Sequence, residues 1–110
     1  MKSINDIYKK LLKQYPDWNI ELDKYNNVIL EKDSFCIKAN EDMVNIYKKY
    51  NKFMCLDNHR HPSTLENMYS DIVYYINNKD DLLKKQQTKD KIFIVLLIVI
   101  TAVFIIGILI

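Results

Sequence analysis

The sequence predicts a small α+β domain at residues 1–78, a polar linker at 79–91 and a single transmembrane helix at 92–110. Three observations carry this expectation. The run IFIVLLIVITAVFIIGILI at the carboxyl end holds no charge and only Thr101 as a polar side chain. Ahead of it, the hydrophobic period changes from near 3.6 residues to two and back again. Short apolar segments are separated by Asn, Asp, Ser and Lys clusters, with no glycine outside the anchor. The predicted order is a helix, a three-stranded antiparallel meander, two helices and then the transmembrane helix.

The first helix starts at Ser3, a suitable N-cap with Asp6 placed to support it. Ile4, Ile7, Tyr8, Leu11, Leu12 and Tyr15 recur at helical spacing, and Pro16 closes the pattern. Trp18, Ile20 and Leu22 then alternate with Asn19, Glu21 and Asp23, the two-residue repeat of a half-buried strand. Residues 23–27 read as a turn whose paired asparagines tolerate left-handed backbone. Two more strands are predicted at 28–31 and 35–38, joined through Lys32, Asp33 and Ser34.

A second helix is expected over 40–50, capped by Asn40, with Met43, Ile46, Tyr47 and Tyr50 as its stripe. Residues 53–56 read as a fourth strand or the end of that helix. Ser63, followed by Glu66 three residues on, fits a capping box. Leu65, Met68, Tyr69, Ile72, Val73 and Ile76 then hold an i, i+3, i+4, i+7 pattern. Tyr74 falls off that stripe and is expected at the surface as a candidate interface residue, since surface aromatics commonly anchor interfaces. The stretch 79–91 is expected to be a linker, with a helical extension into the anchor as its alternative.

Composition excludes several function classes. Sixteen basic residues stand against fourteen acidic ones, and the lysines are spread along the chain with one arginine, Arg60. Nucleic-acid binding would need clustered basic side chains. Gly107, the sole glycine, lies in the anchor, so glycine-rich phosphate-binding loops are excluded. The weight of Lys, Asn, Ile and Tyr reads as the imprint of an A/T-rich genome.

The anchor is expected to span lipid through Ile92, Phe93, Leu96, Leu97, Val103, Phe104, Ile110 and their neighbours. At about 1.5 Å per residue it approaches the roughly 30 Å hydrocarbon core of a bilayer. Residues 1–15 lack the apolar stretch of a secretory signal. A tail-anchored, single-pass protein with a cytoplasmic amino-terminal domain follows as the expectation. Lys84, Lys85, Lys89 and Lys91 flank the span on the domain side, as cytoplasmic positive charge does. A secretory-pathway or virion membrane is favoured over the mitochondrial outer membrane, whose tail anchors usually carry basic residues after the span. Ala102 meets Ile106 four residues on, so a close-packing small-residue pair is missing.

Candidate chemistry is sparse. Cys36 and Cys55 read first as reduced, buried thiols. The alternative is a Cys36–Cys55 disulfide, given an oxidising compartment or a virus-made oxidation system. His59 and His61 lack the paired ligand spacing of structural zinc sites. Cys55 and His59 lack the orienting third group that a nucleophile and its base require. The His61–Pro62 step departs from the ubiquitin-conjugating pattern, because no cysteine follows it. No cofactor, metal site or catalytic residue is expected. The leading expectation is a non-catalytic module that meets a protein partner on the same membrane. The alternative is a structural, assembly or entry-apparatus protein of an enveloped large DNA virus. A vesicle-fusion bundle protein would need heptads immediately before the anchor, and 79–91 has none.

Overall fold

Helix α1, Ile4–Gln14, begins where two local bonds favour it. The Ser3 Oγ accepts from the Asp6 amide at 3.3 Å, and the Asp6 carboxylate accepts from the Lys2 amide at 3.0 Å. Together they satisfy donors that a helix start leaves without intrahelical partners. Ile4, Ile7 and Leu11 face inward, while Leu12, expected on the same stripe, is 40% exposed. The computed structural model describes residues 2–49 and 51–109, and for 51–54 the backbone alone. Tyr50 and Ile110, both singled out from the sequence, lie outside the described residues.

Strands β1 (Asn19–Leu22), β2 (Val28–Lys32) and β3 (Phe35–Ala39) form the expected meander. Its first turn is held by the Asp23 carboxylate, which accepts from the Tyr25 and Asn27 amides at 2.9 Å each. Asn26 takes the left-handed backbone that its side chain tolerates, at φ 61°. Asp33 does the same in the second turn, at φ 55°.

The expected second helix is instead a strand. Asn40 does cap, but its Oδ1 accepts from the Asp42 and Met43 amides within a tight local turn. Strand β4, Val44–Lys48, follows and pairs with β3. Ile46 serves either reading of the sequence, because a short apolar segment does not separate a strand from a helix by period alone. The free edge of β3 decides: pairing there satisfies its backbone groups and sets Val44 and Ile46 into the core. Strand β5, Asn51–Cys55, pairs with β4 across a register shift at Tyr47 and Lys48, which settles residues 53–56 as mainly strand. The sheet among the described residues thus has five strands in the order β1-β2-β3-β4-β5, and the α+β class stands. Beyond β5 the chain stays beside β4, where Val44 and Arg60 exchange backbone hydrogen bonds.

Helix α2, Leu65–Asn77, starts one residue later than the capping box implied. Thr64 is its N-cap and accepts from the Asn67 amide at 3.1 Å, while Ser63 accepts from the Asn67 side chain. Met68, Ile72 and Tyr75 are its buried residues. Tyr75 was not on the expected stripe, yet it is fully buried and its hydroxyl donates to the Asn58 carbonyl at 3.0 Å.

Helices α1 and α2 cover one face of the sheet. Between them lie Trp18, Ile20, Val28, Leu30, Phe35, Ile37, Ala39, Val44 and Ile46. Trp18 meets Phe35 edge to face, with ring centroids 6.2 Å apart. The opposite face carries Asn19, Glu21, Glu31, Lys38, Asn45 and Tyr47, as the two-residue strand repeat requires.

After a single turn residue, Asn78, helix α3 runs unbroken as Lys79–Leu109, 31 residues. The polar stretch 79–91 is therefore helical, and it joins the domain to the apolar run without a flexible break. Its Lys, Leu and Gln content favours helix, and neither Pro nor Gly interrupts it.

Candidate functional site

The apolar part of α3 is exposed over its whole described length. It carries no charged side chain from residue 92 onward, and none of its most apolar stretch is buried within the protein. Ile92, Phe93, Leu96, Leu97, Val103 and Phe104 are all exposed. At about 1.5 Å per residue α3 is roughly 46 Å long, so the helix exceeds a hydrocarbon core by about the length of its polar stretch 79–91. Thr101, the only polar side chain of the span, returns its hydroxyl to the Leu97 carbonyl at 2.8 Å. One helix of the described residues is thus long and apolar enough to cross a membrane.

Two ion pairs join the domain to this helix. Lys79, at the start of α3, donates to Asp33 in the β2–β3 turn at 2.7 Å and also pairs with Asp80. Lys48 at the end of β4 meets Asp90 at 3.5 Å, eleven residues further along α3. Moving down the helix toward the apolar run therefore moves across the sheet from the β2–β3 turn toward β4. Leu82, 7% exposed, closes the hydrophobic contact between these clamps. The Lys79 ammonium is held above its ordinary pKa by the Asp33 hydrogen bond, and the same contact holds the Asp33 carboxyl below its own.

The flanking lysines divide into two sets. Lys84, Lys85 and Lys89 line a groove of about 510 Å³ where α2 meets α3, with Asp81 as its one carboxylate. Lys91 lies on α3 outside that lining. Tyr74 forms the far wall and is 41% exposed. The Arg60 guanidinium lies over its ring at 4.1 Å, and Tyr75 packs against it edge to face. Arg60 is itself tied to Asp71 at 3.3 Å, so the Tyr74 ring is braced from below. Sequence reading isolated Tyr74 and the lysines separately. It missed Asn78, Leu82 and Thr88, which share their surface because residues 78, 81–82, 85 and 88–89 fall on one helix face.

The cysteines are not bonded to one another. Cys36 in β3 and Cys55 in β5 are both opposite Tyr47 in β4, so two strand spacings, roughly 9.5 Å, separate them. A disulfide needs Cα atoms within about 7 Å. Cys36 is buried beside Tyr47 and Glu31, whereas Cys55 is exposed, against the expectation of two buried thiols. Burial, then the neighbouring Cys36 and Glu31, raises the Tyr47 hydroxyl well above its ordinary pKa.

His61 reaches the Asp42 carbonyl with its Nδ1 at 3.2 Å, and His59 is exposed in the loop ahead of it. Among the described residues no group of three or more His, Cys, Asp or Glu side chains is arranged to hold a metal ion. No protein-family model matches the chain, and no curated protein or solved structure is significantly similar to it.

Proposed function

We propose that the protein is a membrane-anchored, non-catalytic interaction module whose α+β domain faces the cytoplasm and meets a protein partner on the same membrane. The observation that carries this reading is α3: one helix belongs to the domain at its start and offers an unburied apolar surface over the rest of its length. Lys84, Lys85, Lys89 and Lys91 all stand on the domain side of the span, and positive flanks stay cytoplasmic. Anchoring confines the domain to a surface, which raises its effective concentration for neighbours there, so a modest interface suffices.

The site on a secretory-pathway or virion membrane rests on the strong hydrophobicity of the span. The alternative, a structural, assembly or entry-apparatus protein of an enveloped large DNA virus, draws on the A/T-rich imprint, the tail anchor and the cysteine pair, and the separation of β3 from β5 weakens the last of these. Proximity labelling in cells, with the full chain and with 92–110 deleted, tests the module. The full chain is expected to label a set of membrane proteins that the deletion loses. An identical set from both would overturn the role of the anchor, and protease-resistant α1 in intact vesicles would overturn the orientation.

A further inference from the structure

We infer that the groove between α2 and α3 takes the headgroup of an anionic phospholipid from the leaflet that holds the anchor. The inference rests on the membrane reading of α3 and adds a ligand to it. Its first ground is charge. Lys84, Lys85 and Lys89 project into one groove against a single carboxylate, and among the described residues none of the three is in an ion pair. The neighbouring cations are engaged elsewhere: Lys79 by Asp33 and Asp80, Lys48 by Asp90, Arg60 by Asp71.

Height is the second ground. With Ile92 at the hydrocarbon boundary, Lys89 stands about 4.5 Å above it and Lys85 about 10 Å, from the rise of a helix. Headgroups occupy roughly the first 5–8 Å outside the core. Lysine stems bend toward such a layer while their ammonium groups stay wet, so all three reach a phosphate there. The third ground is shape. Leu82, about 15 Å above the boundary, and the Tyr74 ring close the groove at its far end, and its volume of about 510 Å³ admits a headgroup that projects above the phosphate layer. Because α3 is unbroken, this pocket opens at a fixed distance from the lipid surface.

The full chain in nanodiscs tests this by timed acetylation of lysines, read by mass spectrometry. Discs of phosphatidylcholine alone are compared with discs containing phosphatidylserine or phosphatidylinositol. Lys84, Lys85 and Lys89 are expected to react roughly five-fold more slowly in the anionic discs, the scale of one lysine at a charged surface. Lys9 and Lys13 on α1 are expected to be unchanged. Tyr74→Ala, which removes the wall but no charge, is expected to abolish that protection while Lys91 behaves as before. Protection that survives Tyr74→Ala would mean attraction by surface charge alone and would overturn the groove. Protection by millimolar inorganic phosphate in phosphatidylcholine discs would overturn the lipid as source. Recovery of the chain outside the discs would instead refute the anchor itself.

Discussion

Arginine placed in the middle of α3 should displace the protein from membranes between the first and second substitution. The span from 92 to 110 holds sixteen large aliphatic or phenylalanine side chains; the other three residues are Thr101, Ala102 and Gly107. Each contributes about −0.3 to −0.6 kcal/mol at the helix centre, less toward the ends, so insertion is favourable by on the order of 6 kcal/mol. An arginine there costs about 3 kcal/mol and also removes the residue it replaces, for a net loss of roughly 3.5 kcal/mol. Ile100→Arg alone leaves insertion favourable, whereas Ile100→Arg with Val103→Arg brings it to about zero or beyond. Neither position touches the domain, since both side chains are exposed and α3 makes its domain contacts near Lys79, Leu82 and Asp90. Flotation and resistance to alkaline carbonate, scored for the wild type and both variants, read the outcome. A wild-type chain extracted by carbonate, or a double variant that stays fully embedded, would refute the reasoning.

Three further outcomes follow from the domain. Leu30→Ala truncates a fully buried side chain at the centre of the sheet and should lower stability by about 2–5 kcal/mol in denaturant titration, with membrane association unchanged. The Asp33 carboxyl, depressed by its bond to Lys79, contributes stability that is complete above the carboxylate's unfolded pKa and lost as pH falls through the lower folded value. Asp33→Asn keeps the left-handed turn available, so thermal unfolding across acidic pH should show a flatter decline than wild type; parallel curves would show that the pair does not couple to folding. Cys55 should react with a thiol reagent at once and Cys36 only on unfolding, and mild oxidant should yield no intramolecular bridge; a bridged native monomer would contradict the strand order.

Local chemistry made part of this fold legible. Ser3 with Asp6, the alternation from Trp18 to Asp23, and the left-handed tolerance of Asn26 each act within a few residues, so their patterns survive in sequence. The uncharged run survives for the same reason. Strand β4 did not, because the choice at Val44–Lys48 is made by the open edge of β3, which no local pattern reports. Tyr75 hid for a related reason. Its depth comes from α2 lying across β3 and β4, and from the Asn58 carbonyl that receives its hydroxyl. The groove was visible only as loose parts, Tyr74 on one segment and lysines on another. Bringing them together needed the one-residue turn at Asn78 and the continuation of helix through 79–91.

With the apolar run embedded in lipid, that continuation would also make the domain a lever on it. Ion pairs at Lys79 and at Asp90 bracket the helical stretch between the sheet and the span. Transmembrane helices lean to match the thickness of the bilayer around them. A change of ten degrees in that lean would swing a point about 20 Å above the boundary sideways by roughly 3–4 Å. A neighbour that grips the sheet at that height would feel a change in bilayer thickness as a sideways shift of its partner.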